Sequence, residues 1–139
     1  MSETDPAEKQ LLRPVLRLFP KTMYRRFVEV PLSRKRIDIL CLPKHPSLAQ
    51  TSVELKVKDW RRALWQAILN LQIAQESYFA IWHKYQDRIL RQRKLLEQYS
   101  IGLIVVDERI ARVVIRPKGS IRIVAREQKP AFYKALLSV

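Results

Sequence analysis

The chain has 139 residues, of which 47% are apolar, a length and composition suited to one domain, 1–139, with its own core. Its 27 Lys and Arg against 13 Asp and Glu give a formal net charge of +14, which favours a polyanionic partner or an acidic surface and carries no sequence preference of its own. The single cysteine, Cys41, excludes an intrachain disulfide and is read as core. No apolar run approaches the roughly 18 residues of a membrane span, and the polar N-terminus lacks a signal-peptide core, so a cytoplasmic protein without a membrane partner is expected.

In chain order, the polar start Met1 to Pro6 precedes Ala7 to Phe19, where Leu11, Leu12, Val15, Leu16 and Phe19 recur at helical spacing with Pro14 as an interruption and Pro20 as the stop. Tyr24 to Pro31 alternates as a strand, Leu32 to Lys35 reads as its turn, and Arg36 to Leu42 reads as the returning strand. Pro43 to Gln50 is a loop containing His45, which like His83 is read as a surface residue, because a zinc site needs three or four N or S donors. Thr51 to Val57 is a third strand. Lys58 to Ala74 is a long amphipathic helix, with Trp60, Ala63, Leu64, Ala67, Ile68 and Leu71 on one side and Arg62, Gln66 and Asn70 in a second line.

Glu76 to Trp82 follows as a buried strand, the signature of a crossover to a parallel pair. Lys84 to Tyr99 reads as another helix and Ile101 to Val106 as another strand. Ile110 to Arg116 and Ile121 to Ala125 flank Pro117 to Ser120 as a hairpin, and Pro130 begins a closing helix. Trp60, Trp65, Trp82 and Tyr78 are read as core. The fold class expected is α/β with a mixed central sheet.

Three polar residues interrupt the apolar strands: Asp38, Glu54 and Lys56. Alternation puts Glu54 and Lys56 on one face of their strand, and charges on a half-buried sheet are costly unless they are paired or bound to something. If the first turn centres on Ser33 and Arg34, Glu29 stands opposite Asp38, with Cβ atoms about 4.5 to 5.5 Å apart, close enough to share a cation. The alternative for Glu29 is an ion pair with Arg36 or another nearby base. Phosphodiester hydrolysis needs a cation on the non-bridging oxygens, hard oxygen ligands to hold it and a group to position water, and two carboxylates with a lysine supply these.

Asp38, then Glu54-x-Lys56 after a gap of fifteen residues, then a helix carrying Gln66-Ala67, resembles the PD-(D/E)XK nuclease superfamily over about residues 8 to 82. Asn70 stands where several of its families carry Tyr at the end of a Gln-Ala-x-x-Tyr motif. The resemblance implies a restriction-endonuclease-like core of αβββαβ order, followed here by a C-terminal helix and hairpin. It also implies a nuclease dependent on Mg²⁺ or Mn²⁺. Asp38 and Glu54 would hold the metal with Glu29, or Glu8 of the first helix, completing the shell. Lys56 would position water or stabilise developing charge, and Gln66 would contact substrate or water, unless it is simply solvated.

From Lys84 to Arg126 eleven Lys or Arg face four acids, a local excess of +7. Arg62, Arg88, Arg91 and Lys94 are the residues read as contacting a phosphate backbone, with the last three on successive turns of one helix face. The partner expected is nucleic acid, DNA ahead of RNA, and a homodimer is compatible. The alternatives are a non-catalytic nucleic-acid-binding module on a nuclease-like fold, or a basic regulatory subunit that binds an acidic protein.

Overall fold

The computed structural model describes residues 4–32 and 34–118. Six strands form one mixed sheet in the order β1-β2-β3-β4-β5-β6. β1 (Tyr24–Leu32) and β2 (Lys35–Pro43) are antiparallel, and their partners follow the expected turn, from Leu32 opposite Lys35 to Tyr24 opposite Pro43. β3 (Thr51–Leu55) runs antiparallel to β2, and all five of its residues are buried. The chain then crosses over through α2 (Trp60–Asn70) to β4 (Glu76–Trp82), which lies parallel to β3.

Helical segments cover both faces of the sheet. Ahead of β1, a 3-10 turn at Glu8–Leu11 leads into α1 (Leu12–Leu16). Leu11, Val15 and Phe19 pack there against Ile39, Val53, Tyr78 and Trp82. Alternation along β4 sends Phe79 and Ile81 to the opposite side, where they meet Ala63, Leu64 and Ala67 of α2. Pro14 does not break the first helix. Starting the α-helical register at Leu12 places Pro14 within the first turn, where its missing N–H is no loss.

Two helices differ from the lengths expected. α2 begins at Trp60 because the Asp59 side chain caps it, accepting from the Arg62 N–H at 3.4 Å. It ends at Asn70, whose carbonyl accepts from both Ile73 and Ala74 N–H groups, so that Gln75 and Glu76 can donate to the Gln50 carbonyl and start β4. The segment expected as one helix from Lys84 to Tyr99 is divided into a 3-10 turn at His83–Tyr85, α3 (Gln86–Leu90) and α4 (Arg93–Tyr99). Ile89 and Leu96 are its buried anchors. Short helices draw their stability from such packing, and two separated anchors do not enforce continuity through the charged residues between them.

β5 (Ile101–Asp107) lies parallel to β4, and β6 (Ile110–Ile115) returns antiparallel across the turn at Glu108 and Arg109, with Glu108 in the left-handed region at φ 53°. β6 pairs with β5 along one edge, a pairing not expected; Ile121 to Ala125, the expected partner of Ile110 to Arg116, falls outside the described residues. The turn around Gly119 and the helix from Pro130 also lie outside them. Among the described residues no helix is long and apolar enough to cross a membrane.

One irregularity bears on function. The β1–β2 ladder passes from Val28–Ile39 to Val30–Ile37 without pairing Glu29 and Asp38, and Glu29 has φ 54°. A side chain at such a φ costs about 1 to 2 kcal/mol. Ile37 packs with Leu40 and Leu42, whereas Ile39 packs with Cys41 and Val53, so the face assignment of β2 changes across Asp38.

Gly102 in β5 provides a stability test. A Cβ there would fall within clash distance of the Tyr78 ring and the Pro117 ring. Gly102→Ala is therefore expected to destabilise the fold by about 1 to 3 kcal/mol, as overpacking does. Urea unfolding of the variant beside the wild type checks it.

Candidate functional site

The site is built where β2 and β3 lie side by side. One step beyond the Ile39–Val53 pair, Asp38 stands across from Glu54, near enough for its carboxylate to raise the pKa of the Glu54 carboxyl. Asp38 Oδ2 also accepts from the Leu55 N–H at 2.7 Å, which ties it to the end of β3. The Glu54 side chain is only 2% exposed. Its Oε1 accepts from Asn70 Nδ2 at 2.8 Å and lies 3.3 Å from Lys35 Nζ. Lys35 Nζ donates further to Asn70 Oδ1 at 2.6 Å and to the Gln66 carbonyl at 3.2 Å. The first residue of β2 is thus fastened to the last turn of α2, at the negative end of the helix dipole.

Burial pushes the Glu54 carboxyl up to about 7; the Asn70 hydrogen bond and the Lys35 ammonium oppose the rise, and the contact with Asp38 adds to it. Two carboxyl groups held together with little water cannot both ionise cheaply.

Lys56 Nζ stands 3.4 Å from Glu8 Oε1, which links the residue after β3 to the first turn of the chain. Glu8, Val28, Glu29, Asp38 and Leu55 help to wall a cleft of about 180 Å³. Asp38 opens to this cleft, and Glu54 is buried beside it.

Asp38 and Glu54 are thus neighbours, whereas Lys56 pairs with Glu8; β3 ends at Leu55, so the strand alternation expected to set Lys56 beside Glu54 does not extend to it. Glu29 does not form a ligand pair with Asp38. It shares the cleft, but its left-handed backbone removes it from the ladder, and its carboxylate, 71% exposed, pairs with Arg36 at 3.9 Å. Among the described residues no three His, Cys, Asp or Glu side chains form a group that could hold a metal ion. Gln66 takes part through its carbonyl, and its half-exposed side chain forms no hydrogen bond among the described residues.

Sequence reasoning missed Lys35 and the role of Asn70. The available signal was the helical line Arg62, Gln66, Asn70, which points toward β3; nothing in the turn residues marked Lys35. Cys41 is buried core, and burial pushes its thiol up to about 12.

The expected basic helix face is also revised. Arg88 lies in α3, Arg91 just after it and Lys94 in α4, so the three do not share one helix. Arg88 and Arg91 instead meet Trp60 and Arg61 in a separate cleft, whereas Arg62 and Lys94 lie outside its walls. Tyr78 and Trp82 are core, as expected, but Trp65 is 61% exposed.

No family model matches the chain, and no curated protein matches its sequence. Among solved structures it is similar to the SPO1766 protein of unknown function from Silicibacter pomeroyi, at 21% identity and a TM-score of 0.61, covering 95% of this chain and 88% of that one. At that identity the likeness speaks for the α/β fold alone.

The raised Glu54 carboxyl makes stability depend on pH. The folded state holds the Glu54 proton up to about pH 7, whereas the unfolded chain releases it near 4.5, so rising pH across that window lowers stability. The contribution is about 3 kcal/mol over the window. Glu54→Gln removes it. Urea unfolding from pH 4.5 to 8 is expected to show a fall in wild-type stability that is absent or much smaller in the variant.

Proposed function

We propose that this protein hydrolyses phosphodiester bonds of nucleic acid with the help of Mg²⁺ or Mn²⁺. The observation that carries the reading is the Asp38–Glu54 pair, adjacent and electrostatically strained, at the edge of a cleft whose wall includes Glu8, itself paired with Lys56. A divalent cation would offset the burial that chiefly pushes Glu54 up and the Asp38 repulsion that adds to it. Mg²⁺ is commonly held by one or two carboxylates, with water and substrate phosphate filling the remaining positions, so the pair suits it without a third carboxylate. Asp38 and Glu54 would hold the ion, and Glu8, across the cleft, is better placed than Glu29 to tune it.

The order of elements supports a restriction-endonuclease-like core: a first helix, three antiparallel strands, a crossover helix and a fourth strand parallel to the third.

When bound, the cation neutralises non-bridging phosphate oxygens and lowers the cost of forming a nucleophile from water. The chain's own residues do the rest. Lys56 donates toward the attacking water or toward the charge that develops on the phosphate, with Glu8 fixing its ammonium. Asn70 and Lys35 hold the Glu54 carboxylate in one orientation, and Lys35 supplies counter-charge. The +14 net charge draws the polyanion in.

A second reading has one specific observation in its favour. Lys35 already places a cation on Glu54, so the carboxylates can be structural and the chain a non-catalytic nucleic-acid-binding module on the same fold.

Labelled single-stranded, duplex and branched DNA and RNA, incubated with Mg²⁺ or Mn²⁺ and with EDTA, separate the two. Metal-dependent cleavage is expected to fall by about a hundredfold or more in Asp38→Asn, Glu54→Gln and Lys56→Met. Affinity for uncleaved substrate should be unchanged or higher in the two carboxylate variants, because negative charge near phosphate is removed. Binding without cleavage of any substrate would establish the module instead.

A further inference from the structure

The outer side of α2 and the start of the α3 segment carry a cluster that the carboxylate site does not use. Arg61, Arg88 and Arg91 wall a cleft of about 300 Å³ together with Trp60 and Gln92. Three guanidinium groups in one cleft repel one another, and none has an ion pair with a carboxylate among the described residues. Aromatic rings support two of them. Arg61 Cζ lies 5.1 Å from the centroid of the Trp60 ring, and Arg88 Cζ lies 5.8 Å from that of Tyr85. A guanidinium resting on a ring keeps its N–H fork free at the edge, in the geometry that grips a phosphate with two parallel bonds.

Trp65 stands one helical turn beyond Arg61 on the same side of α2, a spacing that brings Cβ atoms to about 5 to 6 Å. Its indole is 61% exposed, on the side of α2 away from Ala63, Leu64 and Ala67, which pack on the sheet. A large flat ring open to water, one turn from an arginine that lines a carboxylate-free cleft, matches the pairing of stacking platform and cationic groove by which proteins hold unpaired bases. In a duplex the bases stack on one another and their faces are closed to a surface indole.

We propose that this face binds single-stranded nucleic acid, with Arg61, Arg88 and Arg91 holding consecutive phosphates and Trp65 stacking on a base. The site rests on the nucleic-acid part of the function proposed above and is independent of whether Asp38 and Glu54 perform chemistry. It assigns the substrate as a single strand, or an unpaired end or flap.

Fluorescence anisotropy in EDTA tests it, with labelled oligothymidine and oligouridine of about a dozen nucleotides, a length within the usual site sizes, and a duplex of equal length. Trp65→Ala should weaken both single strands by about ten- to a hundredfold, as loss of one stacked base does, and leave the duplex little changed. Trp65→Phe should retain most of the affinity. Replacing Arg61, Arg88 and Arg91 together with Gln should lower the slope of log affinity against log salt by about 2, from roughly 0.7 per phosphate on a single strand. All four substitutions are at exposed positions, so the variants are expected to fold.

Wild-type protein that binds none of the oligonucleotides overturns both this site and the nucleic-acid reading. Single-strand binding that survives Trp65→Ala, or that falls equally with the duplex, overturns this site alone. Release of the bound oligonucleotide by polyglutamate at equal charge concentration also overturns it, in favour of an acidic protein partner.

Discussion

Asp38 and Glu54 meet across neighbouring strands at a point where water scarcely reaches Glu54, and the surrounding contacts follow from that pairing. A buried carboxylate with a like neighbour is a liability that a chain can hold only if other groups restrain it. Asn70 at the end of α2 donates to one oxygen, Lys35 at the start of β2 adds a cation, and the Leu55 N–H fixes Asp38. These contacts tie together the β1–β2 hairpin, β3 and the crossover helix. Such an arrangement is poor as a device for stability, since an apolar trio of the same shape would serve as well or better. Under the function proposed above, it would serve to receive a cation.

The kink at Glu29 and Asp38 belongs to the same design. A regular strand would put Ile37, Ile39 and Cys41 on one face, whereas here Ile37 belongs to the opposite cluster from the other two. The break falls on the residue that must open to the cleft, and the left-handed Glu29 absorbs it on the facing strand. Strain of this kind tends to persist where function over-determines the local geometry.

Much of the sheet was legible because its constraints are local. The tight turn after Leu32 fixed the register of β1 on β2, and the strand, helix, strand succession from Thr51 to Trp82 required β4 to run parallel to β3. Asp38 and Glu54 were grouped by the resemblance to the nuclease superfamily, and not by these local constraints. Period-two alternation could not reveal the kink, since no Gly or Asn marks Glu29 as left-handed. Lys35 reaches Glu54 only through the packing of the hairpin against α2, a tertiary contact that leaves no mark on a turn sequence. Trp65 was misread as core because residue type suggested burial, while its position, two residues from both Ala63 and Ala67, sets it roughly opposite them on the helix. The pairing of β6 with β5 was missed because a turn at Glu108 and Arg109, with no glycine, gives little signal beside the Pro-Lys-Gly-Ser stretch that follows.

Anomalous scattering from crystals grown with Mn²⁺ tests most directly whether the Asp38–Glu54 pair is a cation site. The expected result is one Mn²⁺ bound by oxygens of Asp38 and Glu54 at about 2.0 to 2.6 Å, the range of hard-cation bonds, with Glu54 ionised at neutral pH. Mn²⁺ absent from the pair at saturating concentration, with Lys35 still seated on Glu54, would contradict it and leave the two carboxylates as part of the framework.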